Sequence, residues 1–421
     1  MGRFKVHKFG GASVKTAAAI RNAIEILKDH TQGSRLVVVS AMDKTTSKLE
    51  AVARLSWTSK HEEAGAGLQA CYEFHQRVAG ELFENPEEDF RPLALWFDEL
   101  NQVLSQAQHR YRDFDAWYDR IVHGGEVLST RIFAAAAKQA GLPVRWHAST
   151  TLVSTDSTHR EARVDIAETN RRIRETINSD DCIHIVQGFI GSDAKGNPTT
   201  LGLEGSDYTA GIFAAALQAE SVTLWKDVAG VYNADPKRHT DAVKLPQLSY
   251  REVTEMANYG AKVIHPKTLK PLENGGIPLY VRSFAEPSTQ GTDIGSAEPE
   301  SYPPVIVHTD DLILLTIRLK DLSYIHTQHV NQVFQLLQDY RARTYLTQIA
   351  FMHLSIALQL DADRLEPLVE DLQKIFELRY NEGLELITIR HYSDADIAGL
   401  SADRTIYLEQ RSRATTRLLI G

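Results

Sequence analysis

Short apolar runs bounded by glycine or small polar residues recur through the first two thirds of the chain, and this recurrence restricts the fold more than any other feature. Residues 4–8, 35–40, 182–189, 221–225 and 277–281 each read as a buried strand. Helical patterns at 17–28, 206–219 and 252–259 separate them. Strands that alternate with helices return to the same sheet edge through crossovers, so the expectation is an α/β fold with a mostly parallel sheet sandwiched by helices. Residues 45–118 carry no strand signal. Within them, 90–111 spaces Leu93, Leu95, Trp96, Leu100, Val103 and Leu104 on one helical face, which predicts a helical insertion packed on the sheet or on a partner subunit.

Residues 286–304 turn to Pro, Ser, Gly and acidic residues and read as a loop followed by a linker. A boundary near 302 divides the chain into 1–302 and 303–421. Beyond it the pattern is strand (312–319), helix (329–340), two strands (343–351 and 353–360), helix (363–376) and strand (384–391), an α+β order of the ferredoxin-like split type. Two further strands are expected near 405–408 and 415–420, with too little chain before them for another helix.

The function classes narrow next. The 421 residues contain no apolar run long enough to span a bilayer, and the N-terminus reads directly into a strand without signal-peptide zones, so a cytoplasmic location is expected. A net charge of -9 with intermingled signs argues against broad attraction to nucleic acid or membrane and points to a small ligand. Cys71 and Cys182 are too far apart in sequence to suggest a zinc or disulfide motif. Histidines and carboxylates show no metal-ligand spacing, so no protein-held metal is expected.

Three segments could carry chemistry. Lys8-Phe9-Gly10-Gly11 ends the first strand and opens a helix; glycines there let backbone N–H groups approach a phosphate, and lysine adds positive potential. The same residues would also serve a plain strand-to-helix turn. Gly202-Leu203-Glu204-Gly205-Ser206-Asp207 opens a second helix, with Ser206 or Asp207 as phosphate-site residues or as simple caps. Residues 225–237 leave a buried strand for a polar, turn-rich loop suited to a nucleotide or to structure alone. The P-loop pattern GxxxxGK[ST] is absent.

KFGGASV, VVVSAMDKTT, HGGEVLST, VQGFIGSD, TTLGLEGSDYTAG, WKDVAGVYNADPK and MANYGAKVIHP occur in the order seen in aspartate kinases, so most of residues 5–266 resembles that branch of the amino-acid kinase family. The resemblance implies transfer of the ATP γ-phosphoryl group to the β-carboxylate of L-aspartate, the first step toward lysine, threonine and methionine, with Mg2+ arriving on the nucleotide. It makes Lys8 the cation that stabilises the transferring group and Asp207 the residue that orients lysine and reactants. Ser40, Thr46, Glu126, Phe189 and Ser206 fall on the aspartate pocket, with Glu126 toward the α-ammonium. Lys8, Gly10, Gly11, Lys226, Asp227, Tyr232, Lys237 and Lys262 fall on the nucleotide site. His123 and His265, inside the same motifs, are expected to be neutral packing residues.

Two departures matter. Leu203 stands where the family usually has an arginine for a substrate carboxylate, and an alkyl group cannot replace a planar bidentate donor. The region 303–421 resembles the ACT regulatory and dimerisation region, through SYIHTQHVNQVFQLL and HLSIALQL, with a truncated second unit; the resemblance implies a homodimer. Thr347-Gln348-Ile349-Ala350-Phe351-Met352 replaces the aspartate and serines of lysine-sensing members, which favours an architectural role. Leu203 leaves open a different acyl carboxylate as acceptor, and a catalytically silent nucleotide- or amino-acid-binding regulator is the reading from another class.

Overall fold

The computed structural model describes residues 4–29, 34–104, 113–261, 264–321 and 323–421. Two compact units divide the described chain. The first comprises 1–232, 244–258 and 262–299, and the second comprises 233–243, 259–261 and 300–421.

Among the described residues ten strands lie in the first unit: β1 (Lys5–Phe9), β2 (Arg35–Val39), β3 (Val144–Trp146), β4 (Ile183–Gln187), β5 (Ile190–Ser192), β6 (Pro198–Thr200), β7 (Ser221–Lys226), β8 (Gln247–Ser249), β9 (Leu279–Ser283) and β10 (Thr292–Gly295). Eight of them form one sheet in the order β3-β4-β2-β1-β7-β9-β10-β8, while β5 and β6 pair as a separate ribbon. Neighbours run parallel except β9 and β10. RLVVV in β2 and IHIVQ in β4 are buried along their whole length, as strands covered by helices on both faces require. The helix Ala17–Asp29 supplies one such cover by burying Ile20, Ala23, Ile24 and Leu27, spaced three and four apart. Phe9 packs between Phe133, at a centroid distance of 5.9 Å, and the stacked ring of Trp225 at 6.1 Å. Burying a phenylalanine of this kind is worth roughly 1.5–3 kcal/mol.

The expected helical insertion is present as Thr45–Trp57, His61–Leu82, Pro86–Leu104 and Phe114–Val122. Residues 105–112, included in the 90–111 pattern, lie outside the described residues. Leu93, Leu100, Val103 and Leu104 are buried, but Leu95 is exposed. At about 100° per residue, Leu95 stands some 200° around the helix from Leu93, so it could not share that face. A second correction concerns the expected linker: Thr292–Gly295 is a strand of the sheet, held where Thr292 Oγ1 donates to Leu245 O and accepts from Val231 N at 2.8 Å.

In the second unit, β11 (Val305–Leu319), the helix Thr327–Asp339, β12 (Arg343–Ile349), β13 (Leu354–Gln359), the helix Ala362–Ile375 and β14 (Phe376–Arg390) follow one another, and β15 (Ile406–Arg411) and β16 (Thr415–Ile420) complete an antiparallel sheet in the order β12-β13-β11-β14-β16-β15. The first four strands have the ferredoxin-like order. Val333, Leu337, Leu368 and Leu372 of the two long helices close over Leu315, Ile317, Leu354 and Ile356. Contrary to expectation, a helix Asp394–Ser401 precedes β15; Ser393 and Asp396 cap each other's backbone at its start, and Ile397 packs on Ile387, Ile389, Leu418 and Ile420. Short as it is, this helix is held by its cap, by the buried Ile397 and by the half-buried Leu400.

Candidate functional site

The carboxyl ends of β1, β2, β4 and β7 converge on a cavity of about 850 Å³, where open parallel sheets bind ligands. Lys8 lies near the end of β1 and Lys226 at the end of β7, on neighbouring parallel strands. Between them stands Asp207, in the first turn of the helix Gly205–Leu217. Lys8 Nζ is 2.6 Å from Asp207 Oδ1, and Lys226 Nζ is 3.3 Å from Oδ2. Burial would raise the pKa of Asp207, but the two ammonium groups overcome it and hold the carboxyl at about 2. One carboxylate between two ammonium groups leaves a net positive charge beside a helix N-terminus, a setting that favours an anion.

Gly11 follows β1, where a Cβ would fall 2.8 Å from Ala41 O and 2.9 Å from Asp43 O. Only glycine allows that approach of the two loops, and Asp43 N donates to Gly11 O across it at 3.2 Å. Ser40 and Thr46 enter the cavity from the same side. Glu126, near the start of the helix Gly124–Gln139, lines the cavity with 2% exposure. Burial lifts its carboxyl to about 8, against the backbone N–H groups of Glu126 and Ala41 and the Thr46 hydroxyl, which pull it down. Its Oε2 has no hydrogen-bond partner among the described residues. Such an orphan calls for a cationic or hydrogen-bonding ligand. Phe189, in the left-handed region at φ 68°, and Ser206 complete this side.

Of the residues singled out from sequence, Lys8, Gly11, Ser40, Thr46, Glu126, Phe189, Ser206, Asp207 and Lys226 line the one cavity. Gly10 adjoins it, since a Cβ there would be 3.4 Å from Lys8 Nζ. Asp227 and Tyr232 do not line it, Lys237 belongs to the second unit, and Lys262 lies outside the described residues. His123 is buried and its imidazole is lowered to about 4 by burial and then by Arg120, so it is a neutral packing residue. His265 caps the helix Pro266–Gly275 through Lys267 N.

Sequence reasoning missed Asp43, Asp115, Tyr118, His159, Arg160 and Glu161, which also line the cavity. The charged cluster His159-Arg160-Glu161 was the available signal, in a loop with no hydrophobic period of its own. Asp119, fully buried, holds that loop: His159 Nδ1 lies 2.8 Å from it, Thr200 Oγ1 donates at 2.6 Å and Arg160 N at 3.2 Å.

The profile described as "Amino acid kinase family" matches residues 3–283. The chain belongs to the amino acid kinase family. Within this family, it is 32% identical over 303 residues to the aspartokinase of Chlamydia trachomatis, covering 72% of this chain and 67% of that protein. It is 32% identical over 309 residues to the chloroplastic bifunctional aspartokinase/homoserine dehydrogenase 2 of Arabidopsis thaliana, covering 71% of this chain, and so spans a third of that relative's length, 33%. The solved structure of E. coli aspartokinase III in complex with aspartate and ADP superposes with a TM-score of 0.81 at 25% identity, covering 99% of this chain and 96% of that one. The family's α/β fold and the antiparallel C-terminal sheet are therefore both present.

Proposed function

We propose that this chain is an aspartate kinase, converting ATP and L-aspartate to ADP and 4-phospho-L-aspartate. One observation carries the reading: the cationic pair Lys8 and Lys226, fixed by Asp207, lines the same cavity as Glu126, whose buried Oε2 has no hydrogen-bond partner among the described residues. The first feature suits a transferring phosphoryl group and the second an acceptor's ammonium. An acceptor carboxylate oxygen would attack the γ-phosphorus while the bond to the β,γ-bridging oxygen breaks and ADP leaves. The carboxylate is already ionised at neutral pH, with an ordinary pKa of about 4, so no base is needed. Catalysis then consists of position and charge. Lys8 would meet the charge on the transferring oxygens, with Gly10 and Gly11 offering backbone N–H groups and Lys226 the nucleotide's phosphates.

Magnesium would come with ATP and supply neutralising charge. Both oxygens of Asp207 already face ammonium groups, so phosphate oxygens and water would hold the ion in preference to this carboxylate. Residues 1–302 would form the catalytic domain. Residues 303–421 would form an ACT-like dimerisation domain with a truncated second unit, in a cytoplasmic homodimer. Among the described residues no helix is long and apolar enough to cross a membrane.

Leu203 favours a second reading. It lines the cavity 76% exposed and offers no charge to a substrate carboxylate, as expected of a pocket rebuilt for another acyl acceptor. ADP release measured with aspartate, glutamate and N-acetylglutamate separates the two. Turnover with aspartate at the highest kcat/KM is the expected result; turnover with none would leave a silent binding protein.

A further inference from the structure

Position 203 lacks a guanidinium, but the cavity does not. Arg160 lines it, on a loop whose backbone touches the glycine beside Leu203: a Cβ on Gly202, itself at φ 79°, would lie 3.4 Å from Arg160 O and 3.3 Å from Glu161 Cγ. Two segments distant in sequence thus bring residues 160 and 203 to one wall.

Three features show that Arg160 is aimed and available. Its backbone is left-handed at φ 68°, a conformation that is strained for a non-glycine residue. The buried Asp119 stabilises it by accepting from Arg160 N with both oxygens at 3.2 Å. Strain held by a buried carboxylate, at the rim of a site, directs the side chain that follows it. The guanidinium lies over the Tyr118 ring at 4.5 Å, and Tyr118 lines the same cavity as Glu126. Finally, its ion pairs are loose: Asp115 Oδ1 is 3.4 Å away and Glu50 Oε1 is 3.5 Å away, and that same Glu50 oxygen already takes Arg54 at 2.8 Å. The lysines of the wall are committed to one buried carboxylate, Lys8 at 2.6 Å and Lys226 at 3.3 Å from Asp207, and the His159 ring lies 2.8 Å from Asp119.

We propose that Arg160 is the specificity residue that holds the acceptor's non-reacting carboxylate, taking over from across the wall the task for which Leu203 has no charge. An amino dicarboxylate would then be held at three points, its ammonium on Glu126, one carboxylate on Arg160 and the other toward Lys8. Exchange of two long, part-exposed pairs for one bidentate carboxylate pair is favourable. The inference rests on the kinase reading of this cavity.

Steady-state kinetics of the full chain test it, with Arg160→Gln, Arg160→Lys, and Arg160→Gln combined with Leu203→Arg. Glutamine keeps the left-handed backbone no worse off and removes the charge. It should raise the KM for aspartate about tenfold to a hundredfold and leave the KM for ATP within about twofold. Lysine, charged but not forked, should fall between, and the added arginine at 203 should recover most of the loss in the double variant. A folded Arg160→Gln with an unchanged KM for aspartate overturns the proposal. If that variant does not fold, an unchanged KM in Arg160→Lys does so instead. Wild-type protein that releases ADP with none of the acceptors overturns the kinase reading, and this inference with it; the two failures differ because only the first leaves wild-type turnover intact.

Discussion

If Glu126 receives the acceptor's ammonium, acceptor binding should release a proton. In the unliganded chain its carboxyl is 2% exposed and lifted to about 8. At pH 7 about nine molecules in ten therefore carry the proton. An ammonium against Oε2 restores the charged form, so binding at pH 7 should release about 0.9 of a proton. Apparent affinity for aspartate should rise with pH, by about fiftyfold between pH 6 and pH 8, and flatten above. The sign for stability is opposite. The folded-state pKa is raised from 4.5, so the contribution of this group to unliganded stability is full below pH 4.5 and is lost as pH rises through about 8. Titration calorimetry in two buffers of different ionisation enthalpy measures the released proton, and Glu126→Gln should abolish both the release and the pH slope. Affinity independent of pH from 6 to 8, with no proton released by the wild type, would refute the assignment of Glu126 to an ammonium.

Lys8→Ala should lower kcat by about a hundredfold or more while changing the KM for ATP less, as read by the ADP-release assay; near-wild-type turnover in a folded variant ends the role given to Lys8. Asp207→Asn should lower kcat comparably, because Lys8 and Lys226 then face each other without a carboxylate between them, and single-turnover rates would report it. Gly11→Ala forces a Cβ to 2.8 Å from Ala41 O, so both the denaturant midpoint and kcat should drop, and a variant normal in both would contradict the close approach. Millimolar lysine should leave activity and melting temperature unchanged, since residues 347–352 lack the polar groups of a lysine sensor; a saturable upward shift in melting temperature would show binding to the folded state.

Periodicity and local chemistry determine what neighbours in sequence can decide. Short apolar runs alternating with helical patterns determined an α/β sheet, because a strand buried on both faces must be covered on both, and β2 and β4 are so buried. Glycine at 10 and 11, the helix start at 205 and the lysines 8 and 226 were legible as residue types at strand ends. The helix Asp394–Ser401 was legible too, in the spacing of Ser393 and Asp396, but eight residues give a weak hydrophobic period and it was passed over. Other features were decided only by the fold. The strand Thr292–Gly295 is polar and short, and becomes a strand because β9 and β8 offer it edges on either side. The loose pairing of Arg160, the buried Asp119 that fixes its backbone, and its place against Gly202 depend on loops brought together from separate crossovers. Strand order sets which loops meet at the carboxyl edge of the sheet, and that order follows from the summed packing of the whole core, which no local stretch of residues encodes.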